Sequence, residues 1–280
     1  MTVLIAGCGD LGTEAGLRFA SSGLRVYGVR RSPHKLPPEI IGIGSDLSCE
    51  VPDVPPETEV VVMSTTADRR TERAYRAAYI DALLNLLDGL RRARTYPRRF
   101  LLVSSTSVYG SNDGWIDEDT PTTPTVGTAA ILRDAETLLQ RRMPQATLLR
   151  LAGLYGPGRT RLVDQVRNGS AVLSGPDRWT NRIHRDDAAA AIVHLSTMNP
   201  EPDPVYIGVD REPAARGAVL RFVADELDIA LPPDASQGSV RPEGKRCRND
   251  RLIASGLQYR YPTYREGYRA ILAGDGVRHP

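Results

Sequence analysis

Gly7, Gly9 and Gly12 stand in a Gly-x-Gly-x-x-Gly spacing directly after the apolar run Thr2-Val-Leu-Ile-Ala6. That spacing handles phosphate with the backbone alone. The first glycine makes a tight turn, the second lets the main chain approach a pyrophosphate, and the third lets the following helix pack close to the strand. The first amides of that helix then face the phosphates with unused N–H groups. Gly7, Gly9, Asp10, Leu11 and Gly12 are therefore expected to hold a dinucleotide, with an ordinary glycine turn as the alternative.

The next apolar run, Leu24-Arg-Val-Tyr-Gly-Val29, leads into Arg30-Arg31-Ser32. In this arrangement a carboxylate about 20 residues beyond the glycines reads the ribose hydroxyls of NAD. Two guanidinium groups there instead favour a 2′-phosphate, so NADP is expected as cofactor in preference to NAD. A pair of solvated arginines is the alternative. Asp46 and Leu47, after the short run Ile40-Ile-Gly-Ile-Gly44, are placed at the adenine. Ser64 and Thr65 end the run Glu59-Val-Val-Val-Met63 and are suited to a cofactor ribose or phosphate, or to a polar loop.

These residues need a scaffold that gathers strand ends. Further apolar runs at Arg99–Ser104 and Ala146–Leu151, with helical spacing over about 71–94 and 126–142, alternate strand with helix across residues 1–155. The pattern predicts an α/β fold, a doubly wound parallel sheet of Rossmann type, with ligands at the C-terminal strand ends. Residues 156–280 read as a smaller C-terminal cap of mixed α/β character, partly interleaved with the first domain, with a strand at Val205–Val209.

Composition narrows the function classes. The 280 residues are 41% hydrophobic and 25% charged, ordinary values for a globular chain. A net charge of +2, from 36 basic and 34 acidic residues, gives no general case for a nucleic-acid or membrane partner. The basic group Arg91, Arg92, Arg94, Arg98 and Arg99 lies near a helix end and reads as a solvated face. Cys8, Cys49 and Cys247 are odd in number and widely spaced, which points away from a disulfide framework or a metal site and toward a reducing, cytoplasmic setting. Cys8 reads as a small side chain beneath the phosphates rather than a reactive thiol. The N-terminal apolar run is too short for a membrane span.

The chain resembles the extended and atypical short-chain dehydrogenases/reductases, also called the NAD(P)-dependent epimerase/dehydratase family. The likeness rests on Gly7-x-Gly-x-x-Gly12, Ser104-Ser-Thr-Ser-Val-Tyr-Gly110, Leu149-Arg-Leu-Ala-Gly-Leu-Tyr-Gly-Pro-Gly158 and Asn181-Arg-Ile-His-Arg-Asp-Asp187. Lys245-Arg-Cys-Arg-Asn249 and Tyr261-Pro-Thr-Tyr-Arg-Glu-Gly267 extend it over nearly the whole chain. The resemblance implies that Ser105 hydrogen-bonds the reacting substrate oxygen, and that the chain pairs as a homodimer through the helices at 71–94 and 126–142. It also implies a Tyr-x-x-x-Lys pair on the second of these helices, and there the chain departs. Aligning Glu136 puts Thr128 and Leu132 at the two positions; aligning Gly127 puts Val126 and Ala130 there.

Neither pairing supplies a phenol or an ammonium, so any proton donor is non-standard. Tyr109 follows a strand end and is the candidate catalytic partner of Ser105, with loop packing as its alternative role. Tyr155 and His184 are candidates for touching substrate, with packing and a structural histidine beside the helix cap Asp186 as their alternatives. Two functions remain open. One is an NADP-preferring oxidoreductase or epimerase-like enzyme acting on a small hydroxyl, carbonyl or imine substrate; the other is a catalytically degenerate dinucleotide-binding sensor or regulator.

Overall fold

The computed structural model describes residues 1–110, 113–123, 126–171, 173, 178–231 and 243–280. Seven strands form one parallel sheet: β1 Thr2–Ala6, β2 Arg25–Arg30, β3 Ile41–Gly44, β4 Thr58–Met63, β5 Arg99–Ser105, β7 Thr147–Leu151 and β11 Val205–Gly208, in the order β11-β7-β5-β4-β1-β2-β3. Three two-stranded pairs surround it. They join β6 Gly114–Ile116 with β13 Lys245–Cys247, β8 Gly153–Tyr155 with β10 Arg182–His184, and β9 Trp179–Thr180 with β12 Ala214–Ala215.

Helices cover both faces of the sheet, which is why β1 is buried along its entire length and reads as an unbroken apolar run. On one face α1 (Asp10–Ser21) packs with α6 (Arg185–Thr197) over Val3, Ile5, Val60 and Val62. On the other, α3 (Ala82–Arg92) and α4 (Gly127–Arg142) cover Leu4, Val61, Phe100 and Leu148. The expected helix over 71–94 exists in three parts: α2 (Glu72–Tyr75), a π-helical segment Arg76–Asp81, and α3.

The remaining helices, α5 (Arg161–Arg167), α7 (Arg216–Glu226), α8 (Asp250–Ala254) and α9 (Tyr264–Ala273), lie in the second half of the chain, where α5, α7 and α9 share an apolar core around Val163, Val219, Leu220 and Tyr264. Two elements of the second half pack on the first. Strand β11, expected within the cap, extends the central sheet beside β7, and α6 packs against α1. The sheet order reverses between β1 and β4, so the glycine turn after β1 opens into the crevice where ligands of such sheets collect.

Candidate functional site

The glycine turn is held from below by β2: the Gly7 and Cys8 amides both donate to the Val29 carbonyl, at 3.1 and 2.9 Å. Gly7 has φ +80°, and a Cβ there would lie 2.7 Å from Thr65 Cα. A Cβ at Gly12 would lie 2.9 Å from Ser64 Oγ and 3.1 Å from the Gly7 carbonyl, so helix and strand meet more closely than any side chain allows. Gly9 differs, because nothing lies within 4 Å of its Cβ position. The turn is thus packed underneath and open above Gly9, as a backbone cradle for phosphate requires, and α1 begins there with its first amides outside the helical ladder.

Asp10 sits at that helix start, where its carboxylate would repel phosphate. Two arginines offset it. Arg185 Nη1 lies 2.9 Å from Oδ1 and Arg159 Nε 3.0 Å from Oδ2. The Asp10 side chain is therefore engaged by protein groups, which leaves its backbone amide as the part able to meet a ligand. Leu11 is buried in the core beneath the helix.

A cavity of about 460 Å³ extends from Gly7, Cys8 and Gly9 along the strand ends. Arg30, Arg31, Ser32, Asp46, Leu47, Ser64 and Thr65 all line it, as does Lys35, a cation outside the residues singled out from the sequence. Lys35 comes from a 3₁₀ turn, Pro33–Lys35, separated from the arginine pair by Ser32. Arg31 pairs with Asp68 at 3.2 Å, and Arg30 Nη1 donates to the Pro280 carbonyl at 2.8 Å. Asp46 accepts from the Ser48 hydroxyl at 2.7 Å, and this bond holds its carboxyl below the usual range.

The Ser64 and Thr65 hydroxyls brace the turn. Ser64 Oγ donates to the Gly7 carbonyl at 3.0 Å and Thr65 Oγ1 to the Ala78 carbonyl at 2.6 Å. Ala78 belongs to the π-helical segment, which turns Ala77 and Ala78 into the cavity beside Ala74 and Ala82. Cys8 is fully buried, and burial pushes its thiol up to about 11 despite the opposing bond to Thr13. It is a packing residue within the glycine turn.

Ser105 ends β5, half-buried, and its Oγ accepts from the Ser107 amide at 3.1 Å. The hydroxyl proton remains available for another acceptor. Tyr109 has a different environment from that expected of a proton donor. It is fully buried, and its hydroxyl accepts from Arg150 Nη1 at 2.9 Å. Burial raises its phenol to about 12, with the Arg150 charge opposing. Arg150 in turn grips Glu136, which also accepts from the Ser104 hydroxyl at 2.5 Å. Helix α4 therefore faces the core with Glu136 and with a buried Leu132, and Thr128 lies in its first turn.

Tyr155 and His184 are direct register partners in the β8–β10 pair and are both buried. The Tyr155 ring stands edge-on to His184 at 5.3 Å and lies 4.8 Å from Tyr268, with its phenol raised by burial. His184 caps α6: its Nδ1 accepts from the Asp186 amide at 3.2 Å, and the imidazole lies 4.0 Å from the Tyr261 ring. Burial holds it down to about 4, with the Asp186 carboxylate opposing. Neither residue lines the cavity beside the glycine turn, and both pack the layer beneath α9.

Among the described residues no group of three or more His, Cys, Asp or Glu side chains is arranged to hold a metal ion, and no helix is long and apolar enough to cross a membrane.

Comparison with known proteins agrees with this geometry. The NAD dependent epimerase/dehydratase family matches residues 4–208. Protein YeeZ of Escherichia coli strain K12 is 27% identical over 271 residues, spanning 93% of this chain and 96% of its own. A solved structure from Methylobacillus flagellatus, described as an NAD-dependent epimerase/dehydratase, superposes with a TM-score of 0.81 at 35% identity, covering 98% of both chains. A conserved protein of Silicibacter pomeroyi DSS gives a TM-score of 0.78 at 26% identity, covering 98% of this chain and 99% of its own.

Proposed function

The chain belongs to the NAD dependent epimerase/dehydratase family, and from that premise we propose that it is an NADP-preferring oxidoreductase or epimerase-like enzyme acting on a small hydroxyl, carbonyl or imine substrate. One observation carries the reading: a single cavity has the packed-below, open-above glycine turn at one end and Arg30, Arg31 and Lys35 at the other. A dinucleotide fits these residues, with its pyrophosphate on the α1 amides and its adenosine toward Asp46 and Leu47. Three cations and the Ser32 hydroxyl suit a 2′-phosphate, which offers three acceptor oxygens and up to two charges.

When bound, the nicotinamide gives or takes a hydride. Ser105 holds the reacting oxygen or nitrogen by donating its O–H, while the Ser107 amide, bonded to one lone pair of Oγ, fixes the hydroxyl in place. Reduction of a carbonyl or imine makes the smaller demand on this chain, because the product can be protonated from solvent. Oxidation of an alcohol needs a base, and Tyr109 is held by Arg150. Mixing NADPH-loaded protein with a panel of small carbonyls and imines in a stopped-flow instrument is expected to oxidise the cofactor with at least one of them. No oxidation across the panel sinks the enzymatic reading.

The sensor reading has its own support in Thr128 and Leu132, which stand where a phenol and an ammonium are expected. Calorimetry separates the two: a sensor binds NADP and NADPH with different affinity and turns over neither. Leu84 on α3 and Val126 before α4 are exposed apolar residues, which supports a homodimer through those helices, to be tested by sedimentation. The cytoplasmic setting rests on the odd number and wide spacing of Cys8, Cys49 and Cys247 in the sequence.

A further inference from the structure

Beyond α9 the chain returns from the cap to the glycine turn and is fastened along the way. Gly276 sits so close to the loop after β8 that a Cβ would lie 2.7 Å from Pro157 Cγ. The Val277 carbonyl accepts from Arg185 Nη2 at 2.8 Å, and Arg278 Nη1 donates to the Gly158 carbonyl at 2.8 Å. The His279 amide donates to Asp10 Oδ1 at 3.1 Å, while its Nε2 lies 2.9 Å from Glu14 Oε2. The last contact reaches the cavity itself, where Arg30 Nη1 donates to the Pro280 carbonyl at 2.8 Å.

These contacts join the loop after β8, the first turn of α1, and the guanidinium at the end of β2. Arg185 and Asp10 serve both the helix start and the returning segment. The segment therefore runs along the rim of the site from the start of α1 to Arg30, and none of its residues lines the cavity between them.

We propose that residues 275–280 form a strap that discriminates between the two nicotinamide dinucleotides by competing for Arg30. The proposal rests on the reading of the cavity as an NADP site. In the closed strap the guanidinium of Arg30 is met by a single main-chain oxygen, that of Pro280. A 2′-phosphate brings several anionic oxygens to the same guanidinium at once, so it displaces that single oxygen and frees the strap. A ribose 2′-hydroxyl brings no charge and leaves the strap closed. The closed state therefore lowers the apparent affinity for NADP in proportion to its population and leaves NAD untouched.

Hydrogen exchange on the full chain tests the closed state and its release. The His279 amide, which donates to Asp10, is expected to be protected in the chain alone and with NADH, and to exchange faster with NADPH. An unprotected His279 amide in the chain alone overturns the strap, as does equal protection with both dinucleotides. Binding provides the second readout, with two variants: deletion of residues 275–280, and the milder pair Arg278→Ala with His279→Ala. Each is expected to tighten NADPH by about three- to tenfold and leave NADH unchanged. Weaker NADPH binding, no change, or equal tightening of both dinucleotides overturns the competition. If neither dinucleotide binds the unmodified chain, the reading of the cavity fails and the competition with it, while protection of the His279 amide still reports separately whether the segment is closed.

Discussion

Arg150 and Glu136 form a buried two-point ion pair, Nε to Oε1 at 3.0 Å and Nη2 to Oε2 at 2.7 Å, with both side chains less than a tenth exposed. The pair joins β7 to α4 at the level where a proton relay was expected. It uses the free Nη1 of Arg150 to hold Tyr109 and Oε1 of Glu136 to hold Ser104. A carboxylate on α4 thus serves to fix the end of β5 beside Ser105.

Removing one partner of this pair leaves a buried charge unmet. Glu136→Ala is expected to cost about 3–5 kcal/mol in urea unfolding. Tyr109→Phe removes only a hydrogen bond to Arg150 and should cost roughly 1–2 kcal/mol, with the rate of cofactor oxidation unchanged. A large loss of rate in stable Tyr109→Phe protein would return Tyr109 to the chemistry.

The glycines of the turn should separate stability from binding. Gly7→Ala is strained at φ +80° and collides with Thr65, so it should lose roughly 1–3 kcal/mol of stability as well as dinucleotide affinity. Gly9→Ala meets no atom of the protein, so its melting temperature should be unchanged. Its dinucleotide affinity should still fall at least about tenfold, because the new methyl fills the space over the turn. Calorimetry with thermal unfolding on both variants checks the contrast.

Cofactor choice should depend on Arg30. Arg30→Ala is expected to weaken NADPH by roughly 1–3 kcal/mol more than NADH, the size of a charge-assisted contact. Arg31→Ala should act less, since Arg31 already pairs with Asp68. Titration of both dinucleotides against each variant decides the matter, and an unchanged preference refutes the assignment of NADP.

Two buried groups should give stability opposite slopes with pH. Burial holds His184 down to about 4, below its unfolded 6.5, so folding favours the neutral ring. Its contribution is complete above pH 6.5 and is lost as pH falls toward 4, by about 3 kcal/mol. Asp210 is pushed up to about 7 by burial, with Arg182 opposing, so folding favours its protonated form. That contribution is present below pH 4 and is lost as pH rises through 7. Urea unfolding from pH 4.5 to 8 should show His184→Asn, which keeps a helix cap, removing the acid-side loss. Asp210→Asn should raise stability selectively at pH 8.

The parallel sheet and the glycine turn were legible because they depend on local patterns: apolar runs of strand length, and a spacing whose mechanics are backbone mechanics. Lys35 was missed because Pro33 interrupts the periodic signal and hides a 3₁₀ turn that carries it back to the cavity. The burial of Tyr109 was not visible because its partner Arg150 is 41 residues away on another strand. Strand β11 was found but placed with the cap, since a four-residue apolar run does not say which sheet it joins. The fastening of residues 275–280 depends on contacts as distant as Arg30 to Pro280, which no spacing announces.

The π-helical segment Arg76–Asp81 has a consequence for any chain compared with this one. Such a segment amounts to one extra residue lodged in an otherwise regular helix. A relative with an uninterrupted α-helix over the same span needs a one-residue gap somewhere between Glu72 and Arg92. Without the gap, every pairing on one side is out by about 100° around the axis. The alanine face of the cavity would then be matched to its neighbours, and the Tyr75 and Tyr79 rings, 5.4 Å apart here, would be scored against positions they do not share.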